Sequence, residues 1–167
     1  MAVRWAVKVL LLDESDRLLL LRGEEKAGDE PVWFPVGGGI ESGEDAVAAV
    51  LREIAEETGC REVGVGPEVW HRRHLYVWRG TETETDERWF VARTAHFTPS
   101  LQSLTDEERS YIIGSRWWSV EELVSTADPV LPPDLGVRLR DLLRDGVPMS
   151  PIDIGGCSVG SGEQAAR

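Results

Sequence analysis

The chain has 167 residues and a formal net charge of −12, with 41% hydrophobic and 29% charged residues. That is the size and composition of one globular domain able to bury a core without disulfides, and the two cysteines, Cys60 and Cys157, rule out a cysteine-rich framework. The acidic balance excludes a nonspecific grip on a nucleic-acid backbone, which needs clustered Lys and Arg, and no apolar run is long enough to cross a membrane as a helix. The start, Met1 to Trp5, lacks the basic flank and long apolar stretch of a signal peptide, so a cytoplasmic protein is expected.

Residues Val3 to Leu12 read as a strand, Asp13 to Asp16 as a turn, and Arg17 to Arg22 as a second strand, which together form a hairpin. Gly23 to Pro31 is a charged loop. A short strand, Val32 to Val36, runs into Gly37-Gly38-Gly39. Ser42 to Thr58 carries the clearest helical pattern, with Val47, Val50, Leu51 and Ile54 at i, i+3, i+4 and i+7, a capping signal at Ser42 with Asp45, and Gly59 as terminator. Strand-like runs follow at Glu62 to Val65, Glu68 to Trp78 and Glu87 to His96, and the polar stretch Arg79 to Asp86 reads as a connection.

Thr105 to Glu108 and Ser119 to Glu122 have capping-box form and open short helices around a strand at Arg116 to Trp118. A last helix, Asp134 to Arg144, presents Leu135, Leu139 and Leu142 on one side. Gly, Ser and Pro dominate after Pro148. The expected organisation is a domain over residues 1–146 and a C-terminal tail over 147–167 without a core of its own, removable after Pro148 at little cost. Strands before and after a central helix, then helices, predict an α/β class with a mixed sheet between helical layers. Dinucleotide-binding and P-loop glycine motifs are absent.

The chemistry concentrates in Gly38 to Cys60, GGIESGEDAVAAVLREIAEETGC. On a helix turning about 100° per residue, with Glu53 at zero, Glu56 falls near −60° and Glu57 near +40°. Three carboxylates thus share one arc, with Val47, Val50, Leu51 and Ile54 on the neighbouring arc that should be buried. Ala46 and Ala49 lie under the glutamates and leave room for ions. Clustered carboxylates raise one another's pKa unless a cation is present, and hard oxygen ligands suit Mg²⁺ or Mn²⁺. Taken alone, three helical glutamates are more often a solvated face.

The same segment resembles the Nudix box, G-x5-E-x7-R-E-U-x-E-E-x-G-U with U a bulky aliphatic: Gly38, Glu44, Arg52, Glu53, Ile54, Glu56, Glu57 and Gly59 all match. Seven fixed identities arise by chance about once in 10⁸ windows. Cys60 departs at the last position, where Ile, Leu or Val is usual. Val36 departs as well, since proline is common directly before the glycines and here stands one place earlier, at Pro35. The resemblance covers most of residues 3–125. It implies a Nudix α/β/α sandwich and metal-dependent hydrolysis of a phosphoanhydride bond in a nucleoside diphosphate linked to another group, with a small phosphorylated substrate as partner. It further implies that Glu53, Glu56, Glu57 and a backbone carbonyl, at Gly37, hold the metal. Glu44 and Arg52 brace the helix against the glycine loop, with Gly38 beside them.

Other signals stay open at this level. Glu87, Glu107 and Glu108 are candidate bases outside the box or ordinary surface charges. Arg22, Arg72 and Arg73 are candidate phosphate ligands or members of an exposed strand face. Trp70, Trp78 and Trp89 either stack a base or fill the core, and Trp89 is retained as a candidate substrate contact. A homodimer is neither required nor excluded. Two other classes share the family's fold: a sensor that binds a nucleotide without cleaving it, and a prenyl-diphosphate isomerase. The intact REIAEE run disfavours the first. The second needs a reactive cysteine, for which Cys60 and Cys157 are poorly placed.

Overall fold

A computed structural model describes residues 2–24, 26–78 and 80–155. The elements are β1 (Val3–Leu12), β2 (Leu18–Gly23), β3 (Val32–Gly39), α1 (Ala46–Thr58), β4 (Gly64–Trp78), β5 (Thr81–Arg93), α2 (Asp106–Arg109), β6 (Ile112–Trp118), α3 (Val120–Ser125), α4 (Leu135–Asp145) and β7 (Ile152–Asp153). The strands make one mixed sheet in the order β6-β2-β3-β1-β5-β4-β7, with β1–β5 and β4–β7 parallel and the other neighbours antiparallel. The layering is the expected α/β/α sandwich.

Strand alternation makes two cores from one sheet. Val7, Val9 and Leu11 of β1 face α1 together with Leu19, Leu21, Val36, Phe90 and Ala92. Leu10 and Leu12 face the other way, with Leu18, Leu20, Trp33, Trp70, Trp89 and Trp118, under Leu123 of α3 and Leu135, Leu139 and Leu142 of α4. The nearly unbroken apolar run of β1 and β2 is what a strand covered on both faces requires.

Several expectations are corrected by packing. The opening hairpin is minimal: β1 and β2 pair only at Leu12 and Leu18, and β3 lies between them beyond that point. β3 itself continues through the three glycines, which pair with Ala6, Val7 and Lys8. The stretch expected as a polar connection is mostly strand, since Thr81 to Asp86 belong to β5 and Arg79 lies outside the described residues. Alternating threonines favour extended backbone. The intervening acids meet bases across the hairpin, Glu84 with Arg73 at 2.8 Å and Asp86 with His71 at 2.6 Å. The two runs at 62–65 and 68–78 merge into one strand with irregular register on either side of Glu68, where Pro67 supplies no ladder donor.

The tail is also revised. Ile152 and Asp153 pair with Trp70 and His71, Ile154 donates its backbone N–H to the His71 carbonyl at 2.8 Å, and its side chain is 6% exposed in the α4-side core. The ordered unit therefore runs past residue 146, while 156–167 lie outside the described residues. Truncation after Pro148 is now expected to cost about 2–4 kcal/mol, most of it from Ile154, and Ile154→Ala should account for the larger part. Denaturant melts of both variants check this; unchanged midpoints would mean the docked segment contributes no stability.

Candidate active site

The helix α1 begins later than its sequence pattern suggests. Asp45 is the N-cap, its Oδ1 accepting the Ala48 N–H at 2.8 Å, because Gly43 with φ +79° turns the chain before a helix can start at Ser42. At the other end Gly59 takes φ +78° and returns its N–H to the Ala55 carbonyl, as expected.

The buried face of α1 differs from the one the apolar pattern indicated. Val47 and Leu51 are exposed, at 45% and 42%, whereas Ala46, Ala49, Val50, Glu53, Ile54, Glu57 and Thr58 are buried. The helix is rotated so that Glu53 (4% exposed) and Glu57 (2% exposed) point at the sheet. Two carboxylates in that position need partners, and the glycine strand supplies room and one donor. The Gly37 N–H donates to Glu57 Oε2 at 3.0 Å. A Cβ on Gly38 would collide with the Glu53 carboxylate, so a larger residue there would displace that carboxylate from its present position.

Arg52 ties these parts together. It forks onto both oxygens of Glu44 at 2.8 and 2.9 Å, donates to the Gly39 carbonyl at 2.9 Å, and reaches Glu53 Oε1 at 2.7 Å and Glu56 Oε2 at 3.3 Å. The Glu44 hydrogen bonds, followed by those of Glu53, raise its pKa further and keep it charged. Its hydrogen bonds tie α1 to Glu44 and to the Gly39 carbonyl, and its donors are engaged by the protein.

A third carboxylate arrives from a separate segment. Oxygens of Glu53, Glu57 and Glu108 lie within 4.8 Å of one another. Glu108 is the third residue of α2, and a complete capping box fixes it there: Thr105 Oγ1 accepts its N–H at 3.2 Å while its own Oε2 accepts the Thr105 N–H at 2.7 Å. Burial pushes the Glu57 carboxyl well above its ordinary value, and the charges of Glu53 and Glu108 push it further, against the Gly37 N–H and Lys8. Burial likewise raises Glu53, reinforced by Glu108 and Glu56 and opposed by Arg52. Added positive charge favours the ionised form of such carboxylates, and three oxygen donors fit a hard divalent cation. Glu56 stands outside this group, half-buried and held by Arg52.

The remaining sequence candidates separate cleanly. Glu107 is exposed, one residue from Glu108 but turned about 100° away. Glu87 lies elsewhere: it is 5% exposed, with His74 Nε2 at 3.0 Å, the Trp89 indole N–H donating at 3.1 Å, and Arg72 at 3.8 Å. Burial opposes its ionisation, but His74, Lys8 and Arg72 outweigh that and hold the carboxyl below its usual value. Arg72 is thereby committed to an internal ion pair, and Arg73 to Glu84. Arg22 is exposed, its guanidinium 5.6 Å from the Trp33 ring centroid. Trp89 is 1% exposed and packs on Trp70 with centroids 5.7 Å apart, so it fills the core and cannot stack a substrate base. The side chain of Trp78 lies outside the described residues, as does Cys157. Cys60 follows α1 with its Sγ 3.6 Å from both the Glu62 carbonyl and Thr94 Oγ1.

A profile of the NUDIX domain matches residues 2–144. The chain belongs to the Nudix family. Among curated relatives, an RNA pyrophosphohydrolase from Roseobacter denitrificans is 29% identical over 75% of this chain and 82% of its own. Another from Dinoroseobacter shibae is 33% identical over 54% of this chain and 61% of its own. Solved structures of like shape include a MutT protein from Methanosarcina mazei Go1, with TM-score 0.62 and 20% identity over 86% of this chain and 94% of that one. A Caenorhabditis elegans Ap4A hydrolase has TM-score 0.61 and 17% identity over 86% and 99%. As a Nudix hydrolase the chain acts on phosphoanhydride bonds of nucleoside diphosphate derivatives. Among the described residues no helix is long and apolar enough to cross a membrane.

Proposed function

We propose that this Nudix hydrolase cleaves a small nucleotide derivative with Mg²⁺, or Mn²⁺ in its place, held by Glu53, Glu57 and Glu108. The observation that carries the reading is the convergence of these carboxylates from two segments, two of them buried against a glycine strand that leaves them room. A divalent cation there would offset the diphosphate charge and lower the pKa of a bound water. The protein's own part is positional. Arg52 fixes Glu53 and the glycine strand as one rigid unit, and the Gly37 N–H orients Glu57. Glu108, the most accessible of the three, takes the proton of the attacking water.

The acidic surface favours a free nucleotide over a nucleic-acid chain, although the named relatives act on RNA. The test is a panel in Mg²⁺: normal and oxidised nucleoside triphosphates, ADP-ribose, NADH, dinucleoside polyphosphates, sugar nucleotides and 5′-triphosphorylated RNA. Metal-dependent release of a nucleotide product from one of the small substrates is expected. Preference for the RNA would overturn the substrate class. Tight binding without turnover throughout the panel would replace hydrolysis by sensing, and a shifted double bond in a prenyl diphosphate would indicate isomerisation.

A further inference from the structure

The two edges of the sheet differ. β6 forms one edge, with a register shift opposite Gly23 and one large exposed apolar side chain, Ile113. β4 forms the other. β7 pairs with it only at Trp70 and His71, and among the described residues no strand lies beyond Arg72 to Trp78. That stretch has no proline, glycine or lysine to blunt it, and Leu75, Tyr76 and Val77 are exposed along it. A long free edge with apolar side chains is a template for another strand.

The backbone fixes how a strand can add. The Ile154 N–H reaches the His71 carbonyl, so the peptide groups of His71 point away from β5. In an antiparallel pair this direction alternates from residue to residue. Arg73, Leu75 and Val77 therefore also point outward, while Arg72, His74 and Tyr76 bond to β5. The outward groups are symmetric about Leu75. A second copy of the chain laid antiparallel puts Leu75 opposite its own counterpart and Arg73 opposite Val77 of the other copy, and every outward donor meets an acceptor. His74 then stands opposite Tyr76. Registers centred to either side leave some of these groups unpaired, and one centred on Arg73 sets that arginine against itself.

Charge agrees with this register. Glu82 of β5 lies beside Val77, on the face that Leu75 and Arg73 share. Glu82 is exposed and makes no ion pair among the described residues, and Arg73 is exposed and holds Glu84 of its own chain. Pairing brings Arg73 of one copy beside Val77 of the other, with Glu82 one strand beyond, and symmetry repeats the contact. The two Arg73 side chains stay apart.

We propose that the outer edge of β4, from Arg72 to Trp78, is the interface of a homodimer in which two copies pair antiparallel about Leu75 and join their sheets. The proposal is independent of the hydrolase reading.

Sedimentation equilibrium of the full chain over a range of concentrations tests it. Wild type should dimerise. Leu75→Lys sets two like charges face to face and should weaken association at least about tenfold. Its far-UV spectrum and its melting at low concentration should match wild type, since Leu75 is exposed and its peptide groups lie outside the ladder with β5. Ile113→Lys, on β6, should dimerise as wild type does. In a chain carrying Cys60→Ser and Cys157→Ser, Leu75→Cys should form an intermolecular disulfide under mild oxidation, because directly opposed residues of a hydrogen-bonded pair have Cα atoms about 5.5 Å apart. Glu82→Cys in the same background should not. A wild type that stays monomeric overturns the proposal, as does an unchanged Leu75→Lys dimer or a dimer whose Leu75→Cys variant fails to cross-link. So does a monomer that dimerises only once residues 156–167 are removed, which gives the edge to the C-terminal segment of the same chain.

Discussion

Glu57→Gln is expected to abolish most turnover while leaving the metal-free protein folded and more stable than wild type. Glu57 is 2% exposed, its carboxyl is raised by burial and by Glu53 and Glu108, and among the described residues its hydrogen-bond donor is the Gly37 N–H. Glutamine retains the oxygen that accepts this N–H. Its amide can donate to Glu53, replacing a like-charge contact by a hydrogen bond. The pH dependence has a definite sign. A carboxyl whose folded pKa is raised contributes its full share of stability below about 4.5, its unfolded value, and loses it as pH rises through the folded value. In chelator, the advantage of Glu57→Gln over wild type should therefore grow with pH. Adding Mg²⁺ should reverse the order, because wild type gains by linkage and the variant, with one ligand charge fewer, gains less. Turnover should fall by several powers of ten, since the ions carry much of the transition-state charge. Calorimetric melts across pH, with chelator and with Mg²⁺, check each part. Equal Mg²⁺-induced stabilisation of the two proteins would remove Glu57 from the ligand set.

The helix that bears these glutamates shows where sequence legibility ended. Its existence, its C-terminal glycine and its acidic arc follow from spacing alone, and the capping boxes at Thr105 and Ser119 stand where the pattern puts them. Its rotation does not. Ordinary amphipathic logic buries Val47 and Leu51 and exposes the acids, but this helix exposes the two apolar residues and turns Glu53 and Glu57 inward. The inversion is stable because Gly37 and Gly38 offer space and an N–H, and Arg52 supplies charge, none of which a helical wheel contains. The hairpin of β4 and β5 was obscured for a related reason. A stretch such as Thr81 to Asp86 looks like a solvated connection until Arg73 and His71 are placed across from it. Trp89 and Arg72 looked available for substrate and Glu87 as a base, and packing within β4 and β5 engages all three.

The capping box of α2 separates Glu108 from Glu107, which the sequence leaves equivalent, and Glu108→Gln should lower kcat by about 10² to 10⁴ without unfolding the protein. The capping box accepts glutamine as well as glutamate at this position, so the Thr105 N–H keeps its partner and α2 stays in place. What is lost is the negative charge and the ability to take a proton. Glu108→Ala would remove the cap as well, and its melting temperature should drop where that of Glu108→Gln does not. Glu107→Gln, altering an exposed residue outside the cluster, should keep wild-type rates. The Mg²⁺ dependence then divides the two ways Glu108 can act. If it is the base, the rate loss persists at saturating Mg²⁺ and the acidic limb of the pH–rate profile disappears. If it is chiefly a ligand, raising Mg²⁺ restores the rate and the acidic limb remains. Full activity of Glu108→Gln at limiting Mg²⁺ would exclude both roles and pass the base to Glu53, whose carboxyl burial raises above its ordinary value against the opposing pull of Arg52.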